Sequence, residues 1–324
     1  MRIYLRGIVL VAVFGAALAP GCGRVSRRLY AMVRPAAGIK CPSLHGRRLF
    51  PPDNPWNTDV SSLPIDPMSD VLIASIGAQK GIHPDFGTVF NGAPNGIPYI
   101  LVPGTQPRVD VEFEYSRQSD KGPYPIPPDV PIEGGPQSKG DRHVIVLDKD
   151  HWILYELYDA RPQGTGWKAG SGAIFDLNSN QLRPAGWTSA DAAGLPIFPG
   201  LVRYDEAMEQ RVISHALRFT ARRTRHAYVS PARHQASHKT DFFLPPLGMR
   251  VRLKRNYDIS GFPPAVRVIL TALKKYGMFL ADNGSDWFLS GSPDSRWSDA
   301  DLSTLKRVHG SDLEVVRMGA VVTD

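Results

Sequence analysis

Residues 143–158 read HVIVLDKDHWILYELY. Two apolar, β-branched and aromatic runs, His143–Leu147 and Trp152–Tyr158, flank the polar tetrad Asp148-Lys149-Asp150-His151. Runs of this length on either side of a short polar turn predict an antiparallel hairpin. In the second run, alternation puts Ile153, Tyr155 and Leu157 on one face and Trp152, Leu154, Glu156 and Tyr158 on the other. With the first set turned to the core, the second presents aromatic rings beside a carboxylate on an open sheet surface.

Working outward, the texture stays mostly β. Strands are expected over Ile97–Val102, Arg108–Tyr115, Ala173–Leu177, Ala216–Thr220, Ala227–Val229, Met249–Leu253 and Leu313–Val316. Val109, Val111, Phe113 and Tyr115 alternate with Asp110, Glu112 and Glu114, the pattern of a strand with one wet face. Met278–Ala281 and Trp287–Ser290 read as a strand pair around the turn Asp282-Asn283-Gly284-Ser285. Short helices are expected over residues 66–79, Asp205–Ser214, Ala265–Tyr276 (opened by Pro263-Pro264 and closed by Gly277) and Ser298–Arg307. Residues 121–140 form a loop rich in proline and glycine, either functional or a rigid surface meander. With 30 glycines and 29 prolines among 324 residues, turns are many and long helices few. The fold class that follows is mainly β with a few peripheral helices, a two-layer β-sandwich or a related single β-rich domain.

The chain opens MRIYLRGIVLVAVFGAALAPGC: two arginines, then a 12-residue apolar run from Ile8 to Ala19, the pattern of a signal peptide over residues 1–22. Gly21-Cys22 offers a lipoprotein cut site, so the protein is expected to be exported and either anchored by lipid on Cys22 or free outside the cell. Uncut at that position, Cys22 could instead bridge Cys41. Residues 23–45 read as a linker, and 46–324 as the β-rich globular domain. Two cysteines in all exclude a disulfide scaffold and a cysteine-based zinc site. The net charge of +7, with arginines gathered in Arg211–Arg233 and Arg250–Arg255, favours an anionic partner such as an anionic lipid or an acidic glycan. No nucleic-acid motif accompanies them.

Three constellations carry chemistry. Rings pack on sugar C–H faces and carboxylates do acid and base work, so Glu156 with Asp159 or Asp176 as catalytic acids, and Trp152 and Tyr158 as substrate-binding rings, point to a glycoside hydrolase acting on a polysaccharide. Arg142-His143 and Arg233-His234 each pair a carboxylate-binding group with a proton acceptor. That pairing opens the alternative of a uronate-specific lyase; a non-catalytic glycan-binding lipoprotein of the cell envelope is the other. His234 and His238 at i,i+4 spacing lack the rest of a metal motif, and no metal or cofactor is expected. The third, Asp282-Asn283-Gly284-Ser285-Asp286, looks like a calcium-binding turn with too few ligands.

The stretches FPPDNPWNTDVSSLP, NGAPNGIPY, GDRHVIVLD, LYELYDA, RPAGWTSADAAGLPI, PGLVRYDE, HALRFT and LKKYGMFLADNGSDWFLSG together resemble a family of uncharacterised exported proteins of soil bacteria. The resemblance covers most of residues 50–316. It implies export and one integral domain, and carries no catalytic assignment.

Overall fold

The 143–158 stretch folds as its pattern predicts. In the computed structural model, which describes residues 38–323, Val144–Asp148 and Ile153–Tyr158 pair antiparallel, with Asp148 opposite Ile153 and Val144 opposite Leu157. Asp148 shapes the turn by accepting the backbone N–H groups of Asp150 and His151. Ser171–Asp176 joins antiparallel on one side and Tyr99–Val102 parallel on the other, giving a four-stranded sheet.

A second, six-stranded sheet runs in the order His83–Asp85, Phe288–Ser290, Leu217–Ala221, Met278–Asn283, Arg250–Leu253, Leu313–Val315. The Asn283-Gly284 turn does not close a hairpin. Leu217–Ala221 sits between the two predicted partners, parallel to Met278–Asn283 and antiparallel to Phe288–Ser290. Its Leu217, Phe219 and Ala221 are completely buried, so packing on both edges outweighs the local turn preference. The helix Pro264–Lys275 buries Val266, Ile269, Leu270 and Leu273, and Gly277 follows at φ 64°. A Cβ at Gly277 would fall on the Val251 carbonyl oxygen, so glycine is needed there for both conformation and space.

The two main sheets face a shared core. Ile145, Leu147, Leu154 and Phe175 of the smaller sheet and Leu217, Phe219, Met278 and Leu289 of the larger belong to one hydrophobic cluster. The reverse face of the four-stranded sheet is covered as well. Val144, Val146, Tyr155 and Leu157 pack with Tyr124, Ile126, Trp167 and Ala169 in a second cluster, under the three-stranded sheet Val111–Phe113, Gly166–Ala169, Arg161–Gln163. The fold is thus β-rich as expected, with a third sheet as an additional layer.

That layer corrects the reading of Trp152–Tyr158. The four residues do share a face, but it is turned into the large core: Trp152, Leu154 and Glu156 are all buried. The residue 121–140 loop is the meander rather than a loose segment, pinned by buried Tyr124, Ile126 and Val130. The wet face of 109–115 is real: Asp110, Glu112 and Glu114 are exposed, and Val109, Val111 and Phe113 pack on the second cluster. The 205–214 segment forms a π-helix over Asp205–Gln210, and the 66–79 helix shortens to Ser69–Ile76.

The described residues belong to one compact unit, Ala36–Asp324. It takes in part of the expected linker: Cys41 and Leu44 are buried, and the Leu44 N–H and Ser43 Oγ both donate to Asp205. The signal-peptide reading and Cys22 lie outside the described residues. Among those described, no helix is long and apolar enough to cross a membrane.

Candidate active site

Where the ends of the two main sheets meet, a pocket of about 410 Å³ opens. Tyr158 and Ser171 reach it from the four-stranded sheet, Asp282 and Asn283 from the six-stranded one, Thr188–Ala192 and His234 from loops, and Tyr115 and Asp141 from its rim.

Its chemistry is built on Asp191 and Asp282. The loop at 189–194 turns tightly: Ser189 Oγ accepts the Asp191 N–H at 2.9 Å, and Gly194 takes φ 70°. The Ala193 N–H then donates to the Ala281 carbonyl at 2.9 Å, stitching the loop to the strand that carries Asp282. That strand is bulged there. Phe219 pairs with Leu280 but Thr220 pairs with Asp282, so Ala281 is the extra residue. Bulges re-aim the following side chain, and here the carboxyl of Asp282 meets that of Asp191 through a hydrogen bond.

Asp191 is fully buried and gripped in a fork, with Arg218 Nε at 2.9 Å and Nη2 at 2.6 Å on its two oxygens. Arg218 spends its remaining group on Ser290 Oγ. Asp191 is therefore the member of the pair matched to the guanidinium. Asp282 is the one pushed toward its protonated form: burial first, and the adjacent Asp191 second, raise its carboxyl well above the usual carboxylate range. The Asn283 N–H at 2.6 Å and the Ala192 N–H at 3.3 Å hold it in position. Tyr158, beside it, is also raised, chiefly by burial and then by the charges of Asp141 and Asp159.

Behind the pocket wall, His143 is enclosed. Its Nδ1 faces Glu133 Oε2 at 2.7 Å and its Nε2 faces the Ala190 carbonyl at 3.2 Å. Burial alone would lower its pKa; the Glu133 carboxylate outweighs this and holds it at about 9. With acceptors at both nitrogens, His143 is an imidazolium that props the 189–192 loop, and has no lone pair with which to abstract a proton.

Of the sequence-predicted residues, Tyr158 and His234 line the pocket, with His234 Nδ1 at 2.8 Å from the Ala192 carbonyl. The others do not meet there. Glu156 is fully buried and accepts the Ile197 and Phe198 N–H groups at 2.8 to 3.0 Å, capping the turn at 197–200. Asp159 is ion-paired with Arg161 at 2.6 Å. Asp176 shapes its own turn with Asn178. Asp176 pairs in register with Ile153, so Asp159 lies six residues further along, about 20 Å away at strand rise. That span is too wide for the two to act on one glycosidic bond. Trp152 is buried under the Arg47 guanidinium, 3.5 Å above its ring. Arg142 is spent through Nε and Nη1 on the carbonyls of Ala160, Pro136 and Ser138, which leaves it no fork for a uronate carboxylate, and Arg233 donates from Nε to the Arg183 carbonyl outside the pocket lining. His234 and His238 lie in irregular chain, not on a helix. Among the described residues no group of three or more His, Cys, Asp or Glu side chains is gathered to hold a metal.

Asp191 and Arg218 escaped sequence reasoning because only the fold unites them. Asp282 stood in a stretch already singled out as a turn, and its protonated role could not be read there. Comparison with models of known protein families, with characterised proteins and with solved structures returned no match.

Proposed function

We propose that the chain is an exported acid–base hydrolase of glycosidic bonds, with Asp282 as proton donor. The observation that carries this is a carboxyl on the wall of an open, hydroxyl-lined pocket, pushed toward its protonated form by burial and by a neighbouring carboxyl that is gripped in an arginine fork. A glycosidic oxygen leaves as an alkoxide unless it is protonated, and a donor near neutrality needs a raised pKa. The Asp191–Arg218 pair tunes that donor without touching substrate. Asp141, the exposed carboxylate of the same pocket, is the group to activate water. Tyr115 and Tyr158 supply ring faces for a pyranose, and Ser171 and Thr188 supply polar contacts. Export rests on the N-terminal segment of the sequence.

The test is a panel of neutral and acidic polysaccharides read for reducing ends and for ultraviolet absorbance. Hydrolysis gives new reducing ends without absorbing products. On the substrate found, D282N should lower kcat by about 10²- to 10⁴-fold, the usual worth of a general acid. The loss should shrink on an aryl glycoside whose leaving group needs no proton. Absorbing products would replace hydrolysis with elimination. Saturable glycan binding without product would leave a binding protein.

A further inference from the structure

A second cavity lies away from this pocket. It occupies about 560 Å³ between the π-helix Asp205–Gln210 and the helix Pro264–Lys275. That volume is within the roughly 300–1,000 Å³ typical of small-molecule sites. Met208, Val212 and Val268 supply apolar wall, and Met208 and Val212 are 41% and 51% exposed, unusually open for such side chains.

Two arginines line the same cavity, Arg211 and Arg267. Arg211 ends the π-helix in the left-handed conformation, φ 58°, its N–H returned to the Glu206 carbonyl. Neither guanidinium has a hydrogen bond or ion pair to any described residue. The acids of the neighbouring segment are already committed. Glu206 serves Arg203 and His215, Glu209 serves Arg296, and Asp205 receives Ser43 and Leu44. Two like charges therefore border one cavity with an apolar wall and no acidic residue in its lining. An apolar body with a single anionic head complements both features.

We propose that this cavity binds a medium-chain fatty carboxylate, with the chain along Met208, Val212 and Val268 and the head between Arg211 and Arg267. The site is independent of the hydrolytic reading. Calorimetry on the full chain, with decanoate, decan-1-ol and decyltrimethylammonium each below its aggregation limit, tests it. Decanoate should bind at least about tenfold more tightly than the alcohol, the cation should bind most weakly, and R211Q/R267Q should erase the preference for the carboxylate. V268W, which fills the cavity, should abolish binding of decanoate and alcohol alike. Equal affinity for the three head groups, or decanoate binding unchanged in V268W, overturns the proposal. The head-group comparison on the native chain decides even if a variant fails to fold.

Discussion

Glu156→Gln separates the observed role of this residue from the one its strand position suggests. The carboxyl is wholly buried and meets only the N–H groups of Ile197 and Phe198. Burial raises its pKa, those two donors lower it, and the balance leaves it at about 7 against an ordinary 4.5. A carboxyl whose pKa is higher in the fold than in the unfolded chain contributes stability that is complete below the unfolded value and is lost as pH rises through the folded one. From pH 5 to pH 8 this amounts to about 2–3 kcal/mol, given the rise from 4.5 to about 7. Glutamine resembles the protonated acid in shape and does not titrate. Urea unfolding followed by tryptophan fluorescence, for native chain and variant across pH 5 to 8, should show the native chain losing that stability relative to the variant as pH rises. A stability difference that stays constant over this range would mean the carboxyl is solvated, and would refute the burial argument. The folded variant should also keep its turnover, because Glu156 does not line the pocket.

Glu133→Gln should lower the pKa of His143, followed by NMR of the imidazole, and should destabilise the fold by about 3 kcal/mol near pH 7. The window has two edges: His143, held up at about 9, contributes stability that is complete below its ordinary 6.5 and lost as pH rises through 9, and Glu133, held below its ordinary 4.5, contributes stability that is complete above that value and lost as pH falls through the lowered one. Gly277→Ala should cost more than the roughly 1–2 kcal/mol of a left-handed alanine, since the Val251 carbonyl must also move; thermal unfolding measures it.

Local pattern found those elements whose neighbours in sequence are also their neighbours in space. The 144–158 hairpin and the helix Pro264–Lys275 are of this kind, and both stand within a residue or two of expectation. Alternation told which residues of Ile153–Tyr158 share a face. It could not tell what covers that face, because the cover comes from segments such as Ile197–Phe198, some forty residues on. The same limit explains the false hairpin at 278–290: a favourable Asn-Gly turn is worth little against Leu217–Ala221, which pairs with both segments and buries completely at Leu217 and Phe219. The candidate site is the least legible part. Asp191, Arg218 and Asp282 come from a loop and two strands, and a single bulged residue, Ala281, decides where Asp282 points.

The arrangement of these three groups is hard to explain as stabilisation. A buried carboxylate–guanidinium pair roughly breaks even against apolar packing of the same shape. Adding a second carboxyl to such a pair costs more, because that group must carry a proton to remain there. A structural ion pair gains nothing from this neighbour, whereas a proton donor requires it. D282N tells the two apart. The amide nitrogen can still donate to Asp191 and the amide oxygen can keep the Asn283 N–H, at the expense only of the longer Ala192 contact, so thermal stability should change little. What the variant cannot do is release a proton. A loss of turnover without a loss of stability therefore assigns the pair to chemistry. A fall in stability with turnover per folded molecule unchanged would return it to architecture.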